Sequence, residues 1–272
     1  MKILITGATG FIGGNLMSYY QHQGHQVYGP GRYDPMQSSL EKFQPDLIIN
    51  SAAEIYNSAD MLAVNVGSVQ TLITWCQQNP ATRLIQIGSS SEYGPNDAVT
   101  TETTPARPVD CYGASKLAAT VLCQAWARQH SLDIVIVRLY SPYGPGERAH
   151  RLFPRFWQAF ELGREMSLVN GVHDFTYIDD VVAAIDAVVQ SSNRTPGEII
   201  NICSGQQHSN YTVWKIFEAQ TGKKAPVTFD PKFVTPRVWI GDNTVLTNKY
   251  QWQPKFDIFA GIDAFVQRAR YE

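Results

Sequence analysis

The opening stretch "KILITGATGFIG" restricts the fold more than any other part of the chain. "KILIT" is short, apolar and rich in isoleucine, as a buried strand requires. Gly7, Gly10 and Gly13 follow at once, and an amphipathic segment then runs to Gly24. Strand, glycine turn and helix in this order open a βαβ unit built for a dinucleotide. The first glycine makes the tight turn, the second lets backbone approach a pyrophosphate, and the third packs helix against strand. The first N–H groups of the helix, free of intrahelical partners, then face the phosphates. Candidate cofactor contacts are therefore Gly7, Thr9, Gly10, Phe11, Ile12 and Gly13, joined by Ala52 and Ala53 at the end of a later strand.

The rest of the chain repeats the alternation of short apolar runs and longer amphipathic ones, which predicts a mainly parallel sheet covered by helices. Strands are expected at "HQVYG", "DLIINSAA", "RLIQIGSSS", "DIVIVRLY", "SLVN" and "EIINIC". Helices are expected around "VGSVQTLITWCQQ", "GASKLAATVLCQAWARQH", "LFPRFWQAFELG", "IDDVVAAIDAVVQSS", "TVWKIFEAQTG" and "DIFAGIDAFVQRARYE". Asp34 before Pro35 reads as an N-cap with proline at the first helical position. The expected class is α/β, a Rossmann-type doubly wound sheet with a smaller, interleaved C-terminal lobe. A cofactor domain is expected over residues 1–165 and a substrate lobe over 166–272, with residues 176–203 packing back on the first domain. Between the second and third strands there is room for one helix only, so the sheet is expected to be trimmed on its adenine side.

Bulk properties exclude several function classes. In 272 residues, 44% are hydrophobic and 17% charged, enough for a sizeable core. A formal charge of −2 gives no general attraction to nucleic acid or anionic membrane, so neither is expected as a partner. No apolar run approaches the ~20 residues of a membrane span, and the N-terminus reads as a strand rather than a signal peptide, so a cytoplasmic protein is expected. Cys76, Cys111, Cys123 and Cys203 lack metal-ligand spacing and read as buried or inert thiols. The six histidines form no H-x-x-x-H pair, so no metal is expected.

Chemistry concentrates in two stretches. "CYGASK" places Tyr112 and Lys116 four apart at a helix start, hence on one face. A nearby ammonium favours a phenolate, so Lys116 is expected to pull the Tyr112 pKa down towards working pH and make it a proton donor or acceptor for an alcohol–ketone pair. "IGSSSEYG" ends a strand where ligands bind in such folds, and its hydroxyls can polarise a substrate carbonyl.

Together, "TGATGFIG", "IGSSSEYG", "YGASK", "YSPYGPG" and "HDFTYIDDV" resemble the extended short-chain dehydrogenase/reductase superfamily, in particular its branch acting on nucleotide-diphosphate sugars. The resemblance runs along nearly the whole chain. It implies an NAD(P) cofactor, a common homodimeric state, and a catalytic set of Ser89, Tyr112 and Lys116. Ser90, Ser91, Ser141, Arg148, Arg155, His173 and Arg237 are its implied substrate contacts.

Departures from the family pattern narrow the chemistry. Dehydratases follow the catalytic hydroxyl with Asp or Ser and then Glu; here Ser90 and Ser91 stand there, and Glu92 comes one residue late, pointing away. Fucose-synthase-like epimerase/reductases carry Cys at the position of Ser91. Two chemistries remain, an NADPH-consuming 4-keto reductase and a 4-epimerase that recycles bound NAD. Epimerases have an Asp where Gly31 stands, for the adenosine ribose. Arg32 beside it suits a 2′-phosphate, and "VYGPGR" resembles the same stretch of GDP-4-keto-6-deoxymannose reductases, so NADP(H) is preferred while NAD(H) stays possible. The alternative is that Arg32 is a solvated loop residue and Asp34 covers the adenine edge. The family's "R-x-x-N-x-Y-G-P" asparagine is Ser141, its "RDF" arginine is His173, and a later arginine falls near Lys232 or Arg237. Arg148, Arg151 and Arg155 are the cations available to compensate. A non-catalytic dinucleotide-binding protein is the reading from outside enzymology.

Overall fold

The computed structural model describes residues 1–169, 171–230 and 238–270. The N-terminal half runs β1 (Lys2–Thr6), α1 (Phe11–His22), β2 (Gln26–Tyr28), α2 (Met36–Phe43), β3 (Leu47–Asn50), α3 (Ser58–Leu62), α4 (Ser68–Gln78), β4 (Arg83–Ser89), α5 (Cys111–His130) and β5 (Ile134–Leu139). Then come β6 (Pro142–Tyr143), α6 (Leu152–Leu162), β7 (Met166–Val169), β8 (Val172–Asp174), β9 (Thr176–Tyr177), α7 (Ile178–Gln190) and β10 (Glu198–Ile202). The chain ends with β11 (Gln207–Ser209), α8 (Asn210–Thr221), β12 (Val227–Asp230), α9 (Thr244–Tyr250) and α10 (Ile258–Ala269).

Six parallel strands form one sheet in the order β10-β5-β4-β3-β1-β2. The order reverses between β1 and β3, which pair from Ile3↔Leu47 to Thr6↔Asn50, so the crevice for a ligand opens beyond Thr6 and Asn50. β2 is the edge strand, and only α2 separates it from β3: the trimmed adenine side expected from the short connection is present. β10 returns from residue 198 to pair with β5.

Strand alternation sorts the core into two layers. Ile3, Ile5, Ile49, Ile85 and Val137 point to the face covered by α1, α7 and the C-terminal helices. Leu4, Ile48, Leu84 and Ile136 point to the other, against Leu72, Ile73 and Cys76 of α4 and Ala119, Cys123 and Ala127 of α5. The C-terminal lobe is aromatic inside: Phe153 stacks on Tyr143 at 4.0 Å, and Phe156 meets Trp214 edge-on at 5.1 Å.

Some expectations change. Asp34 does not cap α2; Pro35 holds that position without a side-chain cap, and the Asp34 carboxylate turns back to accept from the Gly31 N–H at 2.8 Å. Of the four thiols, Cys111 is exposed rather than buried. The sequence does not reveal the short strands β6, β8, β9, β11 and β12 or helices α3 and α9, because elements of two to seven residues carry too little periodicity.

Candidate active site

The glycine turn takes the geometry its sequence demands. Gly7 has φ +65, and a Cβ there would lie 2.8 Å from Ala52 Cα; at Gly13 a Cβ would lie 2.2 Å from the Gly7 carbonyl oxygen. Backbone therefore packs on backbone where β1, α1 and the end of β3 meet. Gly10 is the N-cap of α1 without a side-chain cap, and its own N–H is spent on the Gly7 carbonyl at 2.8 Å. The N–H groups of Phe11, Ile12 and Gly13 at the first turn thus remain for a ligand. This uncapped, side-chain-free cradle fits a dinucleotide pyrophosphate. Thr9 and Ala53 are exposed beside it, and the Ala52 N–H donates to Thr6 Oγ1 at 3.1 Å.

At the edge of β2, Arg32 reaches Glu54 at 3.4 Å with its own side chain 67% exposed. An exposed pair of this length holds weakly. Glu54 is busy elsewhere: its Oε1 accepts from the N–H groups of Ile55, Tyr56 and Asn57, which hold its carboxyl below the usual range. The Asp34 oxygen sits 3.2 Å from where a Gly31 Cβ would be, so a carboxylate occupies the space beside Gly31 although residue 31 has no side chain.

β4 delivers Ser89 to the crevice, and α5 delivers Tyr112 and Lys116 from its first turns. Asp110 caps α5 by accepting from the Gly113 N–H at 2.6 Å. Ser89 Oγ caps the short turn after β4, accepting from the Ser91 N–H at 3.1 Å, and Glu92 answers by accepting from the Ser89 N–H at 2.9 Å. Ser90 is buried and Ser91 half-buried in that turn. Burial raises the Tyr112 pKa, while a hydrogen-bonding contact with Ser89 and the charge of Arg151 oppose the rise. Lys116 is fully buried, donates to the Ile87 carbonyl at 2.5 Å, and is held below its ordinary pKa by burial. The expected lowering of Tyr112 by Lys116 is thus corrected: with the lysine turned to Ile87, desolvation of the phenol dominates.

Glu92 lies outside any cleft. It is fully buried, accepting from Thr120 Oγ1 at 2.8 Å and from Arg138 Nε at 2.8 Å, and Arg138 stands over the Tyr93 ring. Its offset from the dehydratase position corresponds to a structural ion pair. Asn65 was missed by sequence reasoning. It sits in a π-helical turn (Ala63–Gly67), donates to Ser115 Oγ at 2.8 Å and the Glu54 carbonyl at 2.9 Å, and so ties the loop after β3 to the helix bearing Tyr112. Only the unusual turn marks it, and no sequence periodicity shows that.

A cavity of about 350 Å³, within the range of small-molecule sites, opens between residues 141–155 and His173, Phe175 and Asn210; Ser89, Tyr112 and Lys116 do not line it. Ser141, Arg155 and His173 line it, together with Tyr56, Glu147 and Arg151. Arg148 is exposed and does not line it; Arg151, one turn on at the N-terminus of α6, takes that place. Arg237 and Lys232 lie outside the described residues. The two departures Ser141 and His173 meet: Ser141 Oγ lies 3.4 Å from His173 Nδ1, and Ser141 holds φ +25. Burial pushes the His173 pKa down to about 4, so this position offers a neutral imidazole instead of a cation. Tyr56 and His150 join across the mouth of the cavity at 2.6 Å. Among the described residues no cluster of His, Cys, Asp and Glu could hold a metal, and no helix is long and apolar enough to cross a membrane.

Similarity to known proteins agrees with this geometry. The chain is 27% identical to the low-salt glycan biosynthesis protein Agl12 of Haloferax volcanii, over 98% of this chain and 97% of that protein. Its fold matches UDP-glucuronic acid 4-epimerase from Bacillus cereus in complex with UDP-glucuronic acid and NAD, with a TM-score of 0.88 at 23% identity, covering 100% of this chain and 99% of that one. It also matches RMD from Pseudomonas aeruginosa complexed with NADPH, with a TM-score of 0.86 at 21% identity over 100% and 99% of the two chains. Residues 3–203, most of the chain, match the pattern of one family, and with the glycine cradle and the Ser89–Tyr112–Lys116 constellation in place the chain belongs to the NAD dependent epimerase/dehydratase family.

Proposed function

We propose that this chain is an NADPH-dependent reductase of a nucleotide-diphosphate 4-keto sugar, with residues 1–165 as cofactor domain and 166–272 mainly as substrate lobe, residues 176–203 packing back on the first domain. The observation that carries the reading is the edge of β2, where residue 31 has no side chain and the Arg32 guanidinium is exposed and weakly paired. Such a guanidinium exchanges Glu54 for a 2′-phosphate at little cost. A neighbour in complex with NADPH supports this, and nucleotide sugars bound by other neighbours support the substrate class. Dehydration is disfavoured because Glu92 is committed to Arg138 and Thr120.

In this reading the substrate carbonyl oxygen sits between Ser89 and Tyr112. A bound nicotinamide supplies the hydride. The phenol of Tyr112, kept protonated by burial, donates the proton to the forming alkoxide, and Ser89 donates a hydrogen bond to the same oxygen. Lys116, on the face of α5 that also bears Tyr112, would hold the cofactor through its ammonium. Arg151 and Arg155 hold the diphosphate.

A second reading, a 4-epimerase with tightly held NAD, is favoured by one observation: the Asp34 carboxylate beside Gly31 offers an acceptor for a ribose hydroxyl. Denaturing the purified protein and assaying the supernatant separates the two. Protein free of NAD that binds NADPH more tightly than NADH, with the preference lost in Arg32→Ala, supports the reductase. Stoichiometric release of NAD overturns it in favour of the epimerase. Binding of either dinucleotide without turnover of any keto-sugar would leave the non-catalytic alternative.

A further inference from the structure

The loop joining β6 to α6 brings Glu147 to the cavity wall. Its side chain is only 4% exposed, yet it lines the cavity together with Arg151 and Arg155. One carboxyl oxygen, Oε1, is 3.7 Å from Arg151 Nε, while the other, Oε2, is buried without any partner. A buried oxygen left without a hydrogen bond is costly unless a ligand meets it. A second unpartnered oxygen, Asn210 Oδ1, lines the same cavity. By contrast Glu92, equally buried, has every oxygen engaged. The orphan at Glu147 therefore marks a contact awaiting its ligand.

Resting on the nucleotide-sugar reading, we propose that Glu147 is a substrate-contacting residue that binds as a neutral carboxylic acid. Oε2 carries the proton and donates it in a hydrogen bond to an oxygen of the nucleotide-diphosphate sugar, while Arg151 is released to the diphosphate. An ionised Glu147 would instead compete for Arg151 and repel the phosphates. Binding then takes up a proton from solvent whenever the free site is ionised.

Electrostatics support the protonated form. Burial lifts the Glu147 pKa to about 7 against the pull of Arg151 and a backbone N–H at Gly144. Other groups at the cavity are accounted for element by element. His173 on β8 is held to about 4 and stays neutral, Tyr143 on β6 is raised well above its usual value, and Arg155 on α6 brings a guanidinium to the same wall. Tyr56 and His150 satisfy one another at the mouth. A carboxyl with a raised pKa is neutral below it and ionised above, so affinity for an anionic ligand falls as pH rises through about 7.

The test is titration calorimetry with UDP-glucose, whose diphosphate keeps its charge over this range. It uses the Tyr112→Phe protein to prevent turnover, with saturating NADPH. UDP-glucose is expected to bind about tenfold more weakly at pH 8 than at pH 6. Glu147→Gln, neutral and still a donor, is expected to bind at both pH values as the parent does at pH 6. Glu147→Ala is expected to bind more weakly than Gln at pH 6, and thermal unfolding checks that all variants fold. His150→Gln should keep the slope, excluding the imidazole as its source. A flat profile in the parent, or a slope surviving in Glu147→Gln, overturns the proposal while leaving the nucleotide-sugar reading intact. Failure of UDP-glucose, dTDP-glucose and GDP-mannose alike to bind the parent at pH 6 overturns both.

Discussion

At the residue scale the site separates groups that do chemistry from groups that look as if they should. Near Ser89 Tyr112 is half-buried and Glu92 fully buried, but only Tyr112 has a hydroxyl to give; Glu92 is saturated by Ser89, Thr120 and Arg138. Tyr112→Phe is therefore expected to lower turnover at least 100-fold, the scale of a lost general acid, while NADPH titrated by fluorescence binds as before. Normal turnover in that variant rules out the proton assignment. His173 leads to a pH prediction of stability. Its folded pKa, about 4, lies below the ordinary 6.5, so between those values the unfolded chain binds the proton and the folded chain does not. Stability is expected to fall as pH drops from about 6.5 to 4, by on the order of 2–3 kcal/mol from this residue alone. Denaturant melts at pH 7 and 4.5 on wild type and His173→Asn measure it. The variant should lose less between the two pH values, and equal losses would assign the acid sensitivity elsewhere.

At the element scale, strand ends and helix starts carry the site, and this level was largely legible. Buried strands announce themselves by apolar runs such as "KILIT" and "DIVIVRL", and α1 and α5 by their apolar spacing, so the elements that carry Gly7 to Gly13, Ser89, Tyr112 and Lys116 were legible. What stayed hidden depends on contacts distant in sequence. Nothing near Glu147 in the chain says that the fold will bury it, nor that Arg151 rather than Arg148 faces the cavity. Asp34 misled for a local reason: its carboxylate has two nearby amide partners, the helix start and Gly31, and the β2 edge selects the latter. The join between β4, α5 and β5 rests on Glu92 and Arg138, with side chains 0% and 3% exposed. Glu92→Ala leaves a buried guanidinium without its carboxylate and is expected to cost about 3–5 kcal/mol in chemical denaturation. Replacing both by apolar residues of similar volume should recover much of it, since the pair's desolvation cost disappears with it. No recovery in the double variant would mean that the pair itself, and not its mere completeness, holds the join.

At the scale of the whole molecule, α5 faces two ways. Its inner side buries Lys116, Ala119, Thr120 and Cys123 against the sheet and so positions the proposed proton donor. Its outer side repeats at helical spacing through Cys111, Ala114, Ala118, Val121 and Ala125, small or apolar residues of which all but the half-buried Ala118 are exposed, Val121 by 53%. Leu62, on the neighbouring α3, is 67% exposed. Small side chains let a second helix approach closely, and a polar solvent face would have no reason for this stripe. The homodimer proposed from the family resemblance would place this stripe against its copy. The helix that bears Tyr112 and Lys116 would then be clamped from both sides, by the sheet within and by a second α5 without. Assembly and catalysis would share one element. A charge on the stripe tests this: Val121→Glu is expected to convert a dimer into a monomer of 30.4 kDa in sedimentation equilibrium. It should also reduce turnover more than NADPH binding, because the cradle at α1 lies on the opposite face of the sheet from α5. A wild-type protein that sediments as a monomer removes the dimer. A variant that stays dimeric moves the contact to another face.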